Sequence, residues 1–176
     1  MELHASAWMP QAKISGGAMK CSICWLAGWL LLISACTPKK ATVKLTVYFT
    51  NMNRYSIGTE PYEDPVTRTV LMTGSLPEMV LKQLFLGPTK EEKAQGLKVV
   101  LSGTTGFSKL TIEAGVARVY LTGKCNSGGS TYTIGSLIFA NLAQFPEIRR
   151  VKIYDENGET ENPNGQIDSI PICLEP

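Results

Sequence analysis

Leu110-Thr111-Ile112-Glu113-Ala114-Gly115-Val116-Ala117-Arg118-Val119-Tyr120-Leu121 is the stretch on which the fold turns. On each side of Ala114-Gly115 apolar residues recur at every second position, the period of a strand with one buried face. The stretch therefore predicts a β-hairpin. One face carries Leu110, Ile112, Ala117, Val119 and Leu121; the other carries Lys109, Thr111, Arg118 and Tyr120. Such a face needs a cover, and the flanking sequence supplies it. Upstream, Val43, Leu45, Val47 and Phe49 alternate with Lys44, Thr46, Tyr48 and Thr50, and Val66, Arg68, Val70 and Met72 form a second, less regular extended segment. Between them, residues 51–64 are polar, contain Gly58 and Pro61, and read as a long surface loop. Downstream, Val151 and Ile153 alternate with Lys152 and Tyr154.

Helical spacing fills the gaps. Ser75 and Glu78 fit a capping box with Pro77 in the first turn, Val80, Leu81, Leu84 and Phe85 form an apolar stripe, and Gly87-Pro88 ends the helix near Leu86. Thr89 and Glu92 repeat the capping-box spacing and predict a short helix ending near Gly96. Ile134, Leu137, Ile138, Leu142 and Phe145 mark an amphipathic helix that Pro146 terminates. These elements predict an α+β domain over 42–156: a small mixed or antiparallel sheet with helices packed on one face. After the turn at Asn157-Gly158, residues 157–176 form a C-terminal extension.

The opposite end of the chain has a different character. Residues 21–35 carry no charge, follow Met19-Lys20, and end in Leu31-Leu32-Ile33-Ser34-Ala35-Cys36. At the rise of an α-helix, 15 residues reach only about 22 Å of a hydrocarbon core roughly 30 Å thick, too short to span it. An aliphatic residue, two small residues and a cysteine resemble the cleavage and lipid-attachment box of bacterial lipoproteins. That resemblance implies a signal peptide over 1–35, with Met19 read as the start, and a mature chain beginning at a lipidated Cys36 on a short tether, 36–41. The expected location is the extracytoplasmic face of the cell membrane, with acyl chains such as palmitate as the anchor.

Removal of residues 1–35 strips the chain of its only histidine, His4, and of Trp8, Trp25 and Trp29. A Ser-His-Asp triad, a Cys-His pair and histidine-ligated zinc are then excluded by composition. The 15 basic and 14 acidic residues that remain leave the mature chain near neutrality, with neither a nucleic-acid-binding patch nor an acidic tail. Of the five cysteines, Cys21 and Cys24 leave with the signal and Cys36 takes the lipid. Cys125 and Cys173 remain, 48 positions apart. In a secreted domain an even pair reads as a disulfide, here stapling the C-terminal extension to the body. A redox pair lacks the CxxC spacing, and two lone thiolates make a poor metal site.

Together, Gly87-Pro88-Thr89 with Glu91-Glu92 and Gly96-Leu97, then the opening hairpin, then Asn141-Leu142-Ala143-Gln144-Phe145-Pro146-Glu147-Ile148 followed by Val151-Lys152-Ile153, resemble the GerMN domain, the sporulation and spore-germination module. The resemblance covers nearly the whole mature domain, in a single copy. It implies a non-enzymatic envelope module, often on lipoproteins, with a fold similar to the ring-building domains of secretion and sporulation complexes. No catalytic residue, cofactor or metal ligand is carried over from it.

Three constellations offer other chemistry, each with a plainer reading. The loop 123–131 precedes a helix and could hold an anion at its N-terminus, but it lacks P-loop spacing and reads as a flexible connection whose hydroxyl residues cap the helix. Glu60, Glu63 and Asp64 miss the EF-hand pattern and read as a solvated loop; Glu156, Glu159, Glu161 and Asp168 read as a hydrated tail. The expected function is therefore binding of an envelope protein partner or self-association, without catalysis. The alternatives are a hydrolase using two of Glu60, Glu63, Asp64 and Glu113, or a glycan-binding module on faces bearing Tyr48, Tyr120 and Tyr154.

Overall fold

In a computed structural model of the chain, residues 41–176 are described. The expected signal peptide, Cys36 and most of the expected tether lie outside them. The alternating segments form five of the six strands, and β3 is added to them: β1 (Thr42–Asn51), β2 (Glu63–Leu71), β3 (Leu97–Lys98), β4 (Gly106–Glu113), β5 (Val116–Thr122) and β6 (Arg150–Tyr154). Four α-helices join them: α1 (Met52–Ser56), α2 (Leu76–Leu86), α3 (Lys90–Ala94) and α4 (Ile134–Leu142). The class is α+β, as expected. The strands, however, are divided between two three-stranded sheets, ordered β2-β1-β3 and β4-β5-β6, rather than gathered into one. The first is antiparallel throughout, and the second is mixed because β6 runs parallel to β5.

The hairpin forms as its alternation requires. Glu113 faces Val116 across a two-residue turn in which Ala114 and Gly115 both have positive φ, 51° and 81°, the geometry that matches strand twist. Gly115 has a second constraint: a Cβ there would meet Arg149 Nε at 2.5 Å. Arg149 itself holds the turn, donating from Nη2 to Ala114 O at 2.9 Å. The inward residues of β5, Ala117, Val119 and Leu121, join Leu45, Val47 and Phe49 of β1, Val80, Leu81 and Leu84 of α2, Leu137, Ile138 and Leu142 of α4, and Ile153 of β6 in one buried cluster. The two sheets thus share a single core, with α2 and α4 packed on β1.

Several local expectations are corrected. The capping box at Thr89 and Glu92 is present, but Ser75, at the N-cap of α2, makes no side-chain cap bond. Glu78 turns instead to Lys82, one turn on, at 2.7 Å. The loop expected over 51–64 is shortened from both ends and contains α1, capped by Asn51. Met72 lies just past the end of β2, and the two-residue β3 had no signal of its own.

The C-terminal extension is an edge cover. Ser169 bridges Lys152 on the outer side of β6, with Ile153 N donating to Ser169 O at 2.8 Å and Ser169 N to Val151 O at 3.1 Å. The chain then passes through a 3₁₀ turn, Ile172–Leu174, and buries Leu174. Cys173 is brought to Cys125 with the Cα atoms 5.6 Å apart, inside the span a disulfide needs.

Candidate functional site

The C-terminal end of β1 organises the surface most able to receive a ligand. Asn51 accepts at Oδ1 from the backbone N–H groups of Asn53 and Arg54, at 3.0 and 3.2 Å, and so starts α1. This turn brings Tyr55 against Tyr62 and Tyr132, with ring centroids 5.2 to 5.6 Å apart. Edge-on and tilted packing of this kind suits three rings that share one small core. Beside them is a cleft of about 460 Å³ lined by Glu60, Pro61, Tyr62, Glu63, Thr131, Tyr132 and Ser136.

The acids of the cleft are largely occupied. Tyr132 OH donates to Glu63 Oε1 at 2.7 Å and lies 3.2 Å from Thr50 Oγ1. Burial pushes the Tyr132 phenol far above its ordinary value, against the hydrogen bond to Thr50, and the nearby Glu63 adds to the rise. The phenol therefore stays protonated and serves as a donor. Asp64 pairs with Arg54 and accepts from Asn51 Nδ2 at 2.5 Å. Only Glu60 lines the cleft as an exposed acid without a side-chain partner among the described residues.

A second concavity, about 430 Å³, lies where α2 ends and α3 and β3 begin. Phe85, Leu86, Pro88, Leu97, Val99 and Leu101 line it, with Lys93 and Lys98 as its charged members. Leu86 is 74 % exposed there. An apolar groove with a large uncovered leucine is the kind of surface that marks an association site.

Of the residues singled out in the sequence, Glu60 and Glu63 line one cleft, Asp64 is taken up by Arg54 and Asn51, and Glu113 joins none of them. It stands at the tip of the other sheet, 3.8 Å from Arg118 Nη1. Tyr120 and Tyr154 stack at 4.6 Å, and Tyr120 also lies under Lys109, whereas Tyr48 is apart from them on β1. In the tail, Asp168 accepts from Val151 N at 2.7 Å, and Glu161 pushes the Glu175 carboxyl up by charge repulsion. No group of three or more potential metal ligands occurs among the described residues.

The loop 123–131 is held at Asn126 by Ser102 O, 2.8 Å, and at Ser127 by Cys173 O, 2.7 Å. The helix after it is capped by Thr133 and by Ser102 Oγ, not by the hydroxyls of the loop. Tyr55, Tyr62 and Tyr132 are 77 positions apart at the extremes and carried no joint signal; only the closure of β1 onto α4 unites them.

The tandem GerMN domains of the sporulation protein GerM from Bacillus subtilis are 22% identical, with a TM-score of 0.47, over 72% of this chain and 46% of that one. The first GerMN domain of that protein is 21% identical, with a TM-score of 0.43, over 76% of this chain and 96% of that one. The chain therefore spans about half the length of the tandem-domain structure. No curated protein matches. The sequence model of the Germane family, described as sporulation and spore germination, matches residues 46–161, from within β1 to beyond β6. On that match over most of its length, the chain belongs to the Germane family.

Proposed function

We propose that the protein is a lipid-anchored envelope component, attached through Cys36 to the extracytoplasmic face of a membrane, whose Germane domain binds another protein and catalyses nothing. The observation that carries the binding role is the apolar groove at the end of α2, where Leu86 is left 74 % exposed beside Lys93 and Lys98. A partner segment offering an apolar side chain flanked by acids would fill it, and a second copy of the chain is one such candidate. Supporting the absence of catalysis, Glu63 and Asp64 are engaged by Tyr132 and Arg54, so they do not form a free carboxylate pair. In an oxidising envelope Cys125 and Cys173 would be joined.

Two acyl chains or more suffice for stable anchoring, so fatty-acid labelling tests the address directly. Cys36→Ala should abolish labelling and release the protein from the membrane fraction. A photo-crosslinker at Leu86 in the native envelope should join the protein to a defined polypeptide, and Leu101→Asp in the same groove should weaken that product. A second reading, a glycan-binding module, is favoured by the Tyr62 ring and the free Glu60 at the tyrosine cleft. Recovery of glycan fragments alone from a crosslinker beside Tyr62, with no polypeptide from Leu86, would replace the first reading by the second.

A further inference from the structure

The first described residue, Ala41, is fixed to the end of β2: its carbonyl accepts from Met72 N at 2.9 Å, and the next residue, Thr42, lies opposite Leu71. Three large apolar side chains are uncovered in this short segment. Leu71 is 46 % exposed, Met72 57 % and Leu76, the first residue of α2, 38 %. None belongs to the buried core or packs against it as a partly buried member. Lys44 is exposed on the adjoining strand, and Lys39 and Lys40 precede Ala41 in the chain. The nearby Glu78 is already paired with Lys82.

Chain length decides what this pole faces. Cys36 precedes Ala41 by five residues, and a fully extended chain of that length reaches at most about 18 Å. With Cys36 acylated in the bilayer, the Ala41 end of the domain is thus held within about one headgroup layer and a few residues of the membrane surface. We propose that Leu71, Met72 and Leu76 form a membrane-contact surface that seats this pole in the interface of an anionic bilayer, with Lys44 beside the lipid phosphates. Apolar side chains inserted among headgroups with basic residues around them is the arrangement by which peripheral elements lie on membranes. The inference rests on the anchoring reading of Cys36, and it deepens that reading. It orients the domain: β1, ten residues at about 3.4 Å each, carries the tyrosine cleft roughly 30 Å outward.

The mature chain has no tryptophan, so one introduced residue reports alone. Met72→Trp and, as a probe of the far end of β1, Ile57→Trp are each made in the full chain, processed in cells and reconstituted in phosphatidylglycerol vesicles with brominated acyl chains. Intact mass establishes acylation in each sample. The expected result is a blue shift and loss of emission for Met72→Trp but not for Ile57→Trp, with Leu71→Ser/Leu76→Ser reducing the loss. Acylated, vesicle-bound protein whose two probes are equally unquenched overturns the contact while leaving the anchor intact. An unacylated product of full mass overturns the anchor, and the contact surface falls with it.

Discussion

Arg68 does more than any other single side chain to join the domain's parts. From β2 its guanidinium donates to Glu92 of α3 at 2.5 Å, to Gly87 O at 2.9 Å and to both Gln83 O and Oε1 at 3.2 Å, while its carbon lies 4.9 Å above the Phe49 ring of β1. It therefore satisfies carbonyls at the C-terminal end of α2 that the helix itself cannot. Removing one member of such a pair strands the other charge, so Arg68→Ala should cost about 3–5 kcal/mol in urea unfolding, and Arg68→Met/Glu92→Met far less.

The same pair sets a pH dependence. Burial pushes the Glu92 carboxyl up, but the hydrogen bonds from Arg68 and from Thr89 N outweigh it and hold the group below its ordinary value. A carboxyl depressed in the fold contributes stability that is complete above its unfolded value, about 4.3, and disappears as pH falls through the folded value. Urea midpoints of the wild type should therefore drop more steeply between about pH 5 and pH 3 than those of the Met/Met variant, and parallel curves would refute the assignment.

Among the elements, β1 raises the question of its second edge. It pairs with β2 along its length but with β3 only at Thr50 and Asn51. The gap is closed by α4 and the turn that follows it. Asn141, fully buried, accepts from Tyr48 N and donates to Tyr48 O, both at 2.9 Å, and also donates to Leu137 O at 2.8 Å; Gln144 donates to Thr46 O at 3.1 Å. Two side chains thus act in place of a strand, protecting an edge that would otherwise be open to association. Asn141→Leu leaves the Tyr48 peptide groups unpaired in the core and should cost about 2–3 kcal/mol, with lost hydrogen-exchange protection at the Tyr48 amide as the specific sign.

The helices show how far local pattern carries. Thr89-Glu92 and Ser75-Glu78 have identical spacing, yet only the first closes as a capping box. Glu92 is steered back to the Thr89 N–H because Arg68 fixes its carboxylate; Glu78 has a free lysine one turn away and pairs with that instead. The hairpin was fully legible because both its period and its turn are written within twelve consecutive residues. The two-residue β3 was not, since its pairing depends on where β1 ends.

For the molecule as a whole, the C-terminal extension is held by the edge of β6, by the buried Leu174 and at Cys173. Closing a loop of 48 residues contributes up to about 4 kcal/mol in the chain-entropy model. Cys125→Ser/Cys173→Ser should lower the melting temperature, and reductant should shift the wild type to the same value while leaving the variant unmoved. Equal response of both proteins to reductant, or alkylation of both Cys125 and Cys173 in the chain isolated from cells, would show that the pair is not joined.

Periodicity and turn chemistry act over a few residues, and so the strands β1, β2, β4, β5 and β6, the helices α2, α3 and α4, the hairpin turn and the α+β class could all be read before any coordinates. Cysteine parity named the 125–173 pair for the same reason: it needs only composition. The division into two sheets, the substitution of Asn141 and Gln144 for a missing strand, the tyrosine cluster and the uncovered groove at Leu86 could not. Each depends on contacts between residues tens of positions apart, whose cost in chain entropy is met only by the packing of the complete core.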